Sequence, residues 1–166
     1  AGGIVYKAYH KRLRQEVVLK KIRQSGVSEK IGRKEADILK KLHNSYLPQV
    51  LDFLTAGDGS IYTVMSFVPG KTLKELMEQG VVFSRSQLVH CGMQLCSALH
   101  YLHSQNPPVI HGDIKPSNIM LTPEGNICLI DFNIAFYLDA ETILGCTEGY
   151  TSPEQYRYIS VRKSGS

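Results

Sequence analysis

The first third of the chain alternates apolar and polar residues with the period of β-strands. "GIVYKAYH" (3–10) and "EVVLKKI" (16–22) are short and rich in Val and Ile, and the polar link "KRLRQ" between them predicts a β-hairpin. The spacing then changes. In "SEKIGRKEADILKKLHN" (28–44), Ile31, Ile38, Leu39 and Leu42 fall on one helical face with charges elsewhere, and Ser28 is placed to cap its start. "QVLDFLTAGDGSIYTVMSFV" (49–68) returns to the strand pattern, two strands around the Gly/Asp turn "AGDGS". The predicted order is strand, strand, helix, strand, strand.

Pro69 and Gly70 interrupt this pattern, and the chain beyond them turns helical. "SRSQLVHCGMQLCSALHYLHSQ" (84–105) is the longest helical signal. Ser84 and Gln87 form a capping box, Leu88, Leu95, Leu99 and Leu102 share a face, and "NPP" ends the run. Between residues 111 and 135, short β segments flank the turn "TPEGN". No repeat or low-complexity tract interrupts the chain, and the change of pattern at 66–70 marks the best boundary between two parts.

Composition narrows the class. At 43% apolar residues, the chain can bury a core. The net charge of +4 comes from 19 basic and 15 acidic residues scattered along it, so no nucleic-acid partner is expected. Cys91, Cys96, Cys128 and Cys146 form no CxxC pair and no zinc-ligand spacing, which predicts reduced thiols in a cytosolic protein. No apolar run approaches the ~18 residues of a membrane span, and no signal peptide is present. A cytoplasmic location is therefore expected, with any membrane anchor outside this stretch. "AGGIVYKAY" reads as the middle of a longer element and "VRKSGS" as a surface loop.

Chemistry concentrates in "HGDIKPSN" (111–118) and "DFN" (131–133). Asp113 and Asn118 lie in a polar loop after the long helix, and Asp131 ends the apolar strand "ICLI". Two oxygen ligands aimed at one point suit Mg²⁺, which is held by one or two carboxylates plus substrate phosphates. A lysine, Lys115, can neutralise a phosphate near that point. Together these residues suit phosphoryl transfer, where catalysis is mostly positioning and charge stabilisation.

In order and spacing the chain resembles a protein kinase, of the eukaryotic-like Ser/Thr type found in bacteria. "GIVYKA" resembles the end of the Gly-rich loop, with Gly3 its last glycine. "VVLK" resembles the strand bearing the ATP lysine, "RKEADIL" the helix bearing its glutamate partner, and "VMSFVPG" the hinge. "HGDIKPSN" resembles the catalytic loop, "DFN" the DFG motif, and "TEGYTSPE" the substrate loop through the APE motif. The resemblance implies an α+β, two-lobed kinase-like fold. Residues 1–65 would form an antiparallel-sheet N-lobe with one helix, 66–70 a hinge, and 71–166 a helical C-lobe through the activation segment. A full domain of this family continues for roughly another hundred residues. The 166-residue piece is therefore expected to be a weak enzyme that leaves apolar surface open and self-associates.

The resemblance also implies roles. Lys20, paired with Glu35, would hold the α- and β-phosphates of ATP. Asp113 would accept the proton of the substrate hydroxyl, and Lys115 would stabilise the transferring phosphoryl group. Asn118 and Asp131 would hold Mg²⁺ or Mn²⁺. Adenine would lie between Val5 and Val18 above and Met120 below, bonded to the backbone at Ser66 and Val68, with Met65 as gatekeeper. Thr147 would tie the substrate loop to Asp113 and Lys115. Leu39, Leu51, His111 and Phe132 would form a stacked apolar spine, with His111 as packing.

Three departures stand out. Gly112 replaces the family's arginine, which meets a phosphate on the activation loop, so control by such a phosphate is not expected here. Asn133 replaces the DFG glycine, and asparagine is the residue that best tolerates positive φ after glycine. The first glycines of the phosphate loop are absent. Transfer of the γ-phosphoryl group of ATP to protein Ser/Thr hydroxyls is the leading expectation. Lysine in "DIKPSN" favours Ser/Thr over tyrosine by family analogy. Two alternatives stay open: a pseudokinase that binds nucleotide or partners, and a small-molecule kinase of the aminoglycoside type, whose loop also reads HGD but which lacks "TEGYTSPE".

Overall fold

A computed structural model of the chain describes residues 4–22, 37–38, 40–132, 136–137 and 147–156. The predicted hairpin forms as β1 (Val5–His10) and β2 (Gln15–Ile22), antiparallel, with Val5 opposite Lys20. The second pair forms as β3 (Val50–Thr55) and β4 (Ile61–Ser66). Among the described residues these make one antiparallel sheet in the order β1-β2-β4-β3. Crossing β4 between β2 and β3 places Met65 beside Val18. The two side chains therefore share a face with Lys20, because side chains two apart on a strand point the same way.

The helix predicted over 28–44 is described only at Asp37, Ile38 and Lys40. Ser28, Ile31, Glu35 and Leu39 lie outside the described residues. The helix ends before the predicted Asn44, and Lys41 N–H reaches back to Ile38 O at 3.1 Å. The competing interaction is local: Asn44 Oδ1 accepts from Tyr46 N–H at 2.9 Å, a turn that takes the backbone out of the helix. Leu42 is nevertheless buried in the core, carried there by the turn.

Beyond the sheet the chain forms β5 (Lys71–Thr72), α1 (Leu73–Glu78) and α2 (Arg85–His103). Then come β6 (Val109–Ile110), a 3₁₀ turn (Pro116–Asn118), β7 (Ile119–Leu121), β8 (Ile127–Leu129) and β9 (Phe136–Tyr137). β5, β7 and β8 form a small sheet, and β6 pairs with β9. The α2 capping box is present: Ser84 Oγ accepts from Gln87 N–H at 3.3 Å and Gln87 Oε1 accepts from Ser84 N–H at 2.8 Å. The expected leucine face is only partly buried. Leu102 is in the core and Leu95 and Leu99 pack on it, but Leu88 is 58% exposed. The buried face turns instead toward Gln94 and Ala98.

One core joins the two regions. Ile38, Leu42 and Leu47 pack with Ala98 and Leu102 of α2, Val109, Ile119, Ile127, Leu129 and Phe132. Leu51, expected in the spine, is half-buried and is not among the side chains packed on this core, whereas Val50 is. A β-bulge is the reason. The register with β4 shifts between Val50 and Asp52, leaving Leu51 as the extra residue.

Gly70 fixes how the link after β4 crosses β7. Its φ is +116°, and a Cβ there would stand 2.0 Å from Leu121 O, a backbone atom that cannot swing away. Gly70→Ala is expected to lower stability by more than about 2 kcal/mol, through both strain and displacement of β5 from β7. A denaturant midpoint shift of that size checks this, and an unchanged midpoint contradicts it.

Candidate active site

The polar loop between β6 and the 3₁₀ turn converges on Asp113. Its Oδ1 accepts from Thr147 Oγ1 at 2.6 Å. Its Oδ2 lies 2.7 Å from Lys115 Nζ and accepts from Asn118 Nδ2 at 2.9 Å. Lys115 Nζ also donates to Thr147 Oγ1 at 3.0 Å. Asn118 is buried and donates to Asp113 O at 2.9 Å as well, so the loop closes on itself. Burial alone pushes the Asp113 carboxyl up, but the hydrogen bonds from Lys115, Thr147 and Asn118 outweigh it and hold the group below the usual carboxylate value. Asp113 is therefore ionised at neutral pH and able to accept a proton.

Asp131 follows β8 with φ +65°, a left-handed conformation that non-glycine residues rarely adopt. Such strain is held by the surroundings and clusters at functional sites. Ile130 N–H donates to Asn118 O at 2.8 Å, which ties the strand end to the polar loop. Lys20 Nζ lies 2.9 Å from Asp131 Oδ1, and Lys20 is 9% exposed overall. The ion pair crosses from the four-stranded sheet to the end of β8. Asn133, the position where an unusual backbone was expected, lies outside the described residues.

A cavity of about 310 Å³ opens between these groups. It is lined by Val5, Val18, Lys20, Met65, Ser66, Val68, Asn118, Met120 and Asp131, together with Pro48, Phe67, Ser117 and Ile130. The size is that of a small-molecule site, apolar along one part and polar at the Lys20–Asp131 end. Of the residues expected at a nucleotide site, Gly3 and Glu35 lie outside the described residues. Asp113, Lys115 and Thr147 form the adjoining cluster. Ser66 N–H donates to Gln49 O at 2.9 Å, so its backbone donor is already engaged.

The donor set fits a hard divalent cation. Asn118 and Asp131 both line the cavity, and each side chain carries an oxygen that can serve as a ligand. Among the described residues no group of three or more His, Cys, Asp or Glu could hold a metal alone. Two protein oxygens completed by substrate phosphates is the pattern that suits Mg²⁺. Cys128 and Cys91 are poor nucleophiles: burial pushes the Cys128 thiol up to about 12 and also raises Cys91. Cys146 lies outside the described residues.

His111 holds this architecture rather than doing chemistry. Its ring is 4.6 Å from that of Phe132, edge-on, and both side chains are buried. Nδ1 accepts from Asp113 N–H at 3.3 Å, so the proton sits on Nε2, which donates to Ile130 O at 3.2 Å. One neutral tautomer thus satisfies both bonds. Burial lowers the His111 pKa from 6.5 to about 4. The unfolded chain then binds a proton that the folded chain excludes, so stability is full above pH 6.5 and is lost as pH falls toward about 4. Acidification across that window is expected to cost on the order of 3 kcal/mol at this residue. Thermal melts of wild type and His111→Phe should show the acid-sensitive component only in the wild type. Equal slopes would contradict this.

Sequence reasoning missed Gln94. It is buried in α2, where Oε1 accepts from Ile127 N–H at 2.8 Å and Nε2 donates to Asn126 Oδ1 at 2.7 Å. These bonds fix the β7–β8 turn on α2, and β7 and β8 carry Met120 and lead to Asp131. The available signal was a polar residue flanking the apolar face of a helix.

The protein kinase domain family matches residues 1–164. The chain is 36% identical over 162 residues to the serine/threonine-protein kinase Nek6 of Oryza sativa subsp. japonica, covering 93% of this chain and 30% of the rice protein. It is 32% identical over 173 residues to the serine/threonine-protein kinase pkn3 of Myxococcus xanthus, covering 93% of this chain and 31% of that protein. Among solved structures, a chain of the yeast RNA Pol II CTD kinase CTDK-1 complex superposes with a TM-score of 0.71 at 25% identity, covering 84% of this chain and 45% of that one. The chain thus spans less than half the length of each of these relatives. The antiparallel sheet and the likeness to a solved kinase agree with the expected kinase-like α+β fold, here incomplete. With the match running through almost all of its residues, the chain belongs to the protein kinase domain family.

Proposed function

We propose that the protein transfers the γ-phosphoryl group of ATP to Ser/Thr hydroxyls of protein substrates. The observation that carries this is the Asp113 carboxylate, ionised and held by Lys115, Thr147 and Asn118 beside a cavity in which Lys20 meets Asp131. In this reading residues 1–65 form one lobe, 66–70 the hinge and 71–166 part of the second. Mg²⁺·ATP, when bound, supplies the phosphoryl group and the charge that neutralises its oxygens.

The chain's own residues do the rest. Val5, Val18 and Met120 enclose the base, Met65 limits the depth of the slot, and the Ser66 and Val68 backbone orients it. Gly3 completes the phosphate loop. Lys20 lies at the phosphate end and exchanges its contact with Asp131 for phosphate oxygens, with Glu35 as its partner. Asn118 and Asp131 hold the cation. Asp113 takes the proton of the incoming hydroxyl, and Lys115 faces the charge that develops on the phosphoryl group. Thr147 keeps the substrate loop against both. A cytoplasmic location belongs to the same proposal. Separately, among the described residues no helix is long and apolar enough to cross a membrane.

The segment 147–156 lies on the catalytic cluster through Thr147, which favours a protein substrate over a small molecule. Labelled ATP offered with a generic protein and an aminoglycoside side by side tests the reading. Label on the protein is expected. Label on the aminoglycoside means a small-molecule kinase, and nucleotide binding without transfer means a pseudokinase.

The 166-residue chain alone is proposed to self-associate. Leu88, Val89 and Met93 on α2 are 58%, 54% and 66% exposed, and Val82 just before α2 is 91% exposed. Open apolar surface of this kind is covered by another chain or drives aggregation. Sizing chromatography is expected to show oligomers, and a monodisperse, dye-silent monomer would contradict this.

A further inference from the structure

The peptide unit that leads into Asp113 is gripped at both ends. Its N–H, that of Asp113, donates to His111 Nδ1 at 3.3 Å. Its carbonyl, that of Gly112, accepts from Gln155 Nε2 at 3.1 Å. Gly112 has φ +77°, so this plane sits where a side chain is disfavoured and the backbone alone sets its orientation. His111 is fixed in turn by Ile130 O and the Phe132 ring, which makes that grip rigid. The Gln155 grip comes from the other direction, from the segment that also carries Thr147.

That segment is closed on itself. Thr151 Oγ1 accepts from Thr147 N–H at 2.6 Å and donates to Thr147 O at 2.9 Å, and Tyr156 N–H donates to Ser152 O at 3.1 Å. Among the described residues the folded segment then meets the catalytic loop through two side chains, Thr147 and Gln155. Thr147 Oγ1 reaches the Asp113 carboxylate and Gln155 Nε2 reaches the Gly112 carbonyl. One contact orients the side chain and the other orients the backbone that bears it. Two points define an orientation that one cannot.

We propose that Gln155 is a positioning residue that couples docking of the substrate loop to the orientation of Asp113, doing with a neutral hydrogen bond what the missing arginine at position 112 would do with a phosphate. The inference rests on the kinase reading above. It does not place Gln155 in contact with substrate. Because the grip is neutral, catalytic competence does not depend on a phosphate in the activation segment. Because neither Gln155 nor Gly112 lines the nucleotide cavity, it acts on turnover rather than on ATP affinity.

The test uses the full-length protein and two variants. Gln155→Glu keeps the shape but replaces the donor with a carboxylate facing a carbonyl, and Gln155→Leu removes polarity altogether. Both are expected to lower kcat about tenfold, with the ATP dissociation constant changed less than about twofold. The Asp113 amide is expected to exchange with solvent about tenfold faster in both, since the peptide loses one of its two restraints. Phosphatase treatment of the wild type is expected to leave kcat unchanged. The inference is overturned if either variant keeps wild-type turnover and wild-type exchange. It is also overturned if turnover, ATP affinity and melting temperature fall together in both, which would mark general packing. A large loss of rate on phosphatase treatment would show that a phosphate holds the loop instead. If the wild type transfers no phosphate at all, the kinase reading fails, and exchange at Asp113 alone decides this one.

Discussion

Asp113→Asn is expected to lower kcat for phosphoryl transfer by about 10²–10⁴-fold, the range that a positioned general base contributes. ATP affinity should stay within about twofold of wild type, because the carboxylate is not among the cavity's lining residues. The substitution is close to isosteric, and amide oxygen and nitrogen can still meet Lys115, Thr147 and Asn118 in part. What is lost is the ionised group that those three side chains hold below its ordinary pKa. For the same reason the wild-type rate should not fall through protonation of Asp113 as pH drops within the neutral range. Turnover and nucleotide binding measured on one preparation check both statements. A variant that keeps most of its turnover would remove Asp113 from the role of base.

The polar loop was legible in the sequence because its parts are local. "HGDIKPSN" places Asp113, Lys115 and Asn118 within one turn of chain, and a loop this short that closes through Asn118 has little choice of geometry. The hairpins and the capped helix were legible for the same reason: strand alternation and a Ser84–Gln87 box are short-range signals. What was not legible depends on contacts across the fold. The bulge that withdraws Leu51 is set by the register against β4. Leu88 follows the helical period of Leu102 but lies at the end of α2 that no described neighbour buries. Gln94 and Gln155 are ordinary polar residues in sequence, and only the fold shows that one anchors Ile127 and the other Gly112. The positive φ of Asp131 also carries no sequence signal, since aspartate tolerates that conformation better than most non-glycine residues but does not require it.

Asp131→Ala is expected to abolish the tightening of ATP binding by Mg²⁺. The carboxylate stands at the polar end of the cavity, 2.9 Å from Lys20 Nζ, in a backbone conformation that the surroundings enforce. With it gone, Asn118 is the one remaining expected cation ligand of the pair. The loss of Mg²⁺-dependent affinity should be about 10- to 100-fold, the scale of one charged contact worth about 1.5–3 kcal/mol. ATP binding without Mg²⁺ should change far less, and it should improve if the Lys20–Asp131 pair competes with phosphate for the ammonium. Calorimetric titrations with and without the metal separate the two effects. A wild type with no Mg²⁺ effect would speak for a pseudokinase, and a variant with an undiminished effect would move the cation to other ligands.

The most direct measurement is the chemical identity of the residue that receives the phosphate. The full-length protein is incubated with Mg²⁺ and γ-labelled ATP and a mixed protein substrate, and the labelled protein is hydrolysed to its amino acids. Label on phosphoserine and phosphothreonine, absent when Asp113→Asn replaces the wild type, is the predicted result. Label on phosphotyrosine, label that survives Asp113→Asn, or no label at all while ATP is bound would contradict a Ser/Thr kinase working through this site.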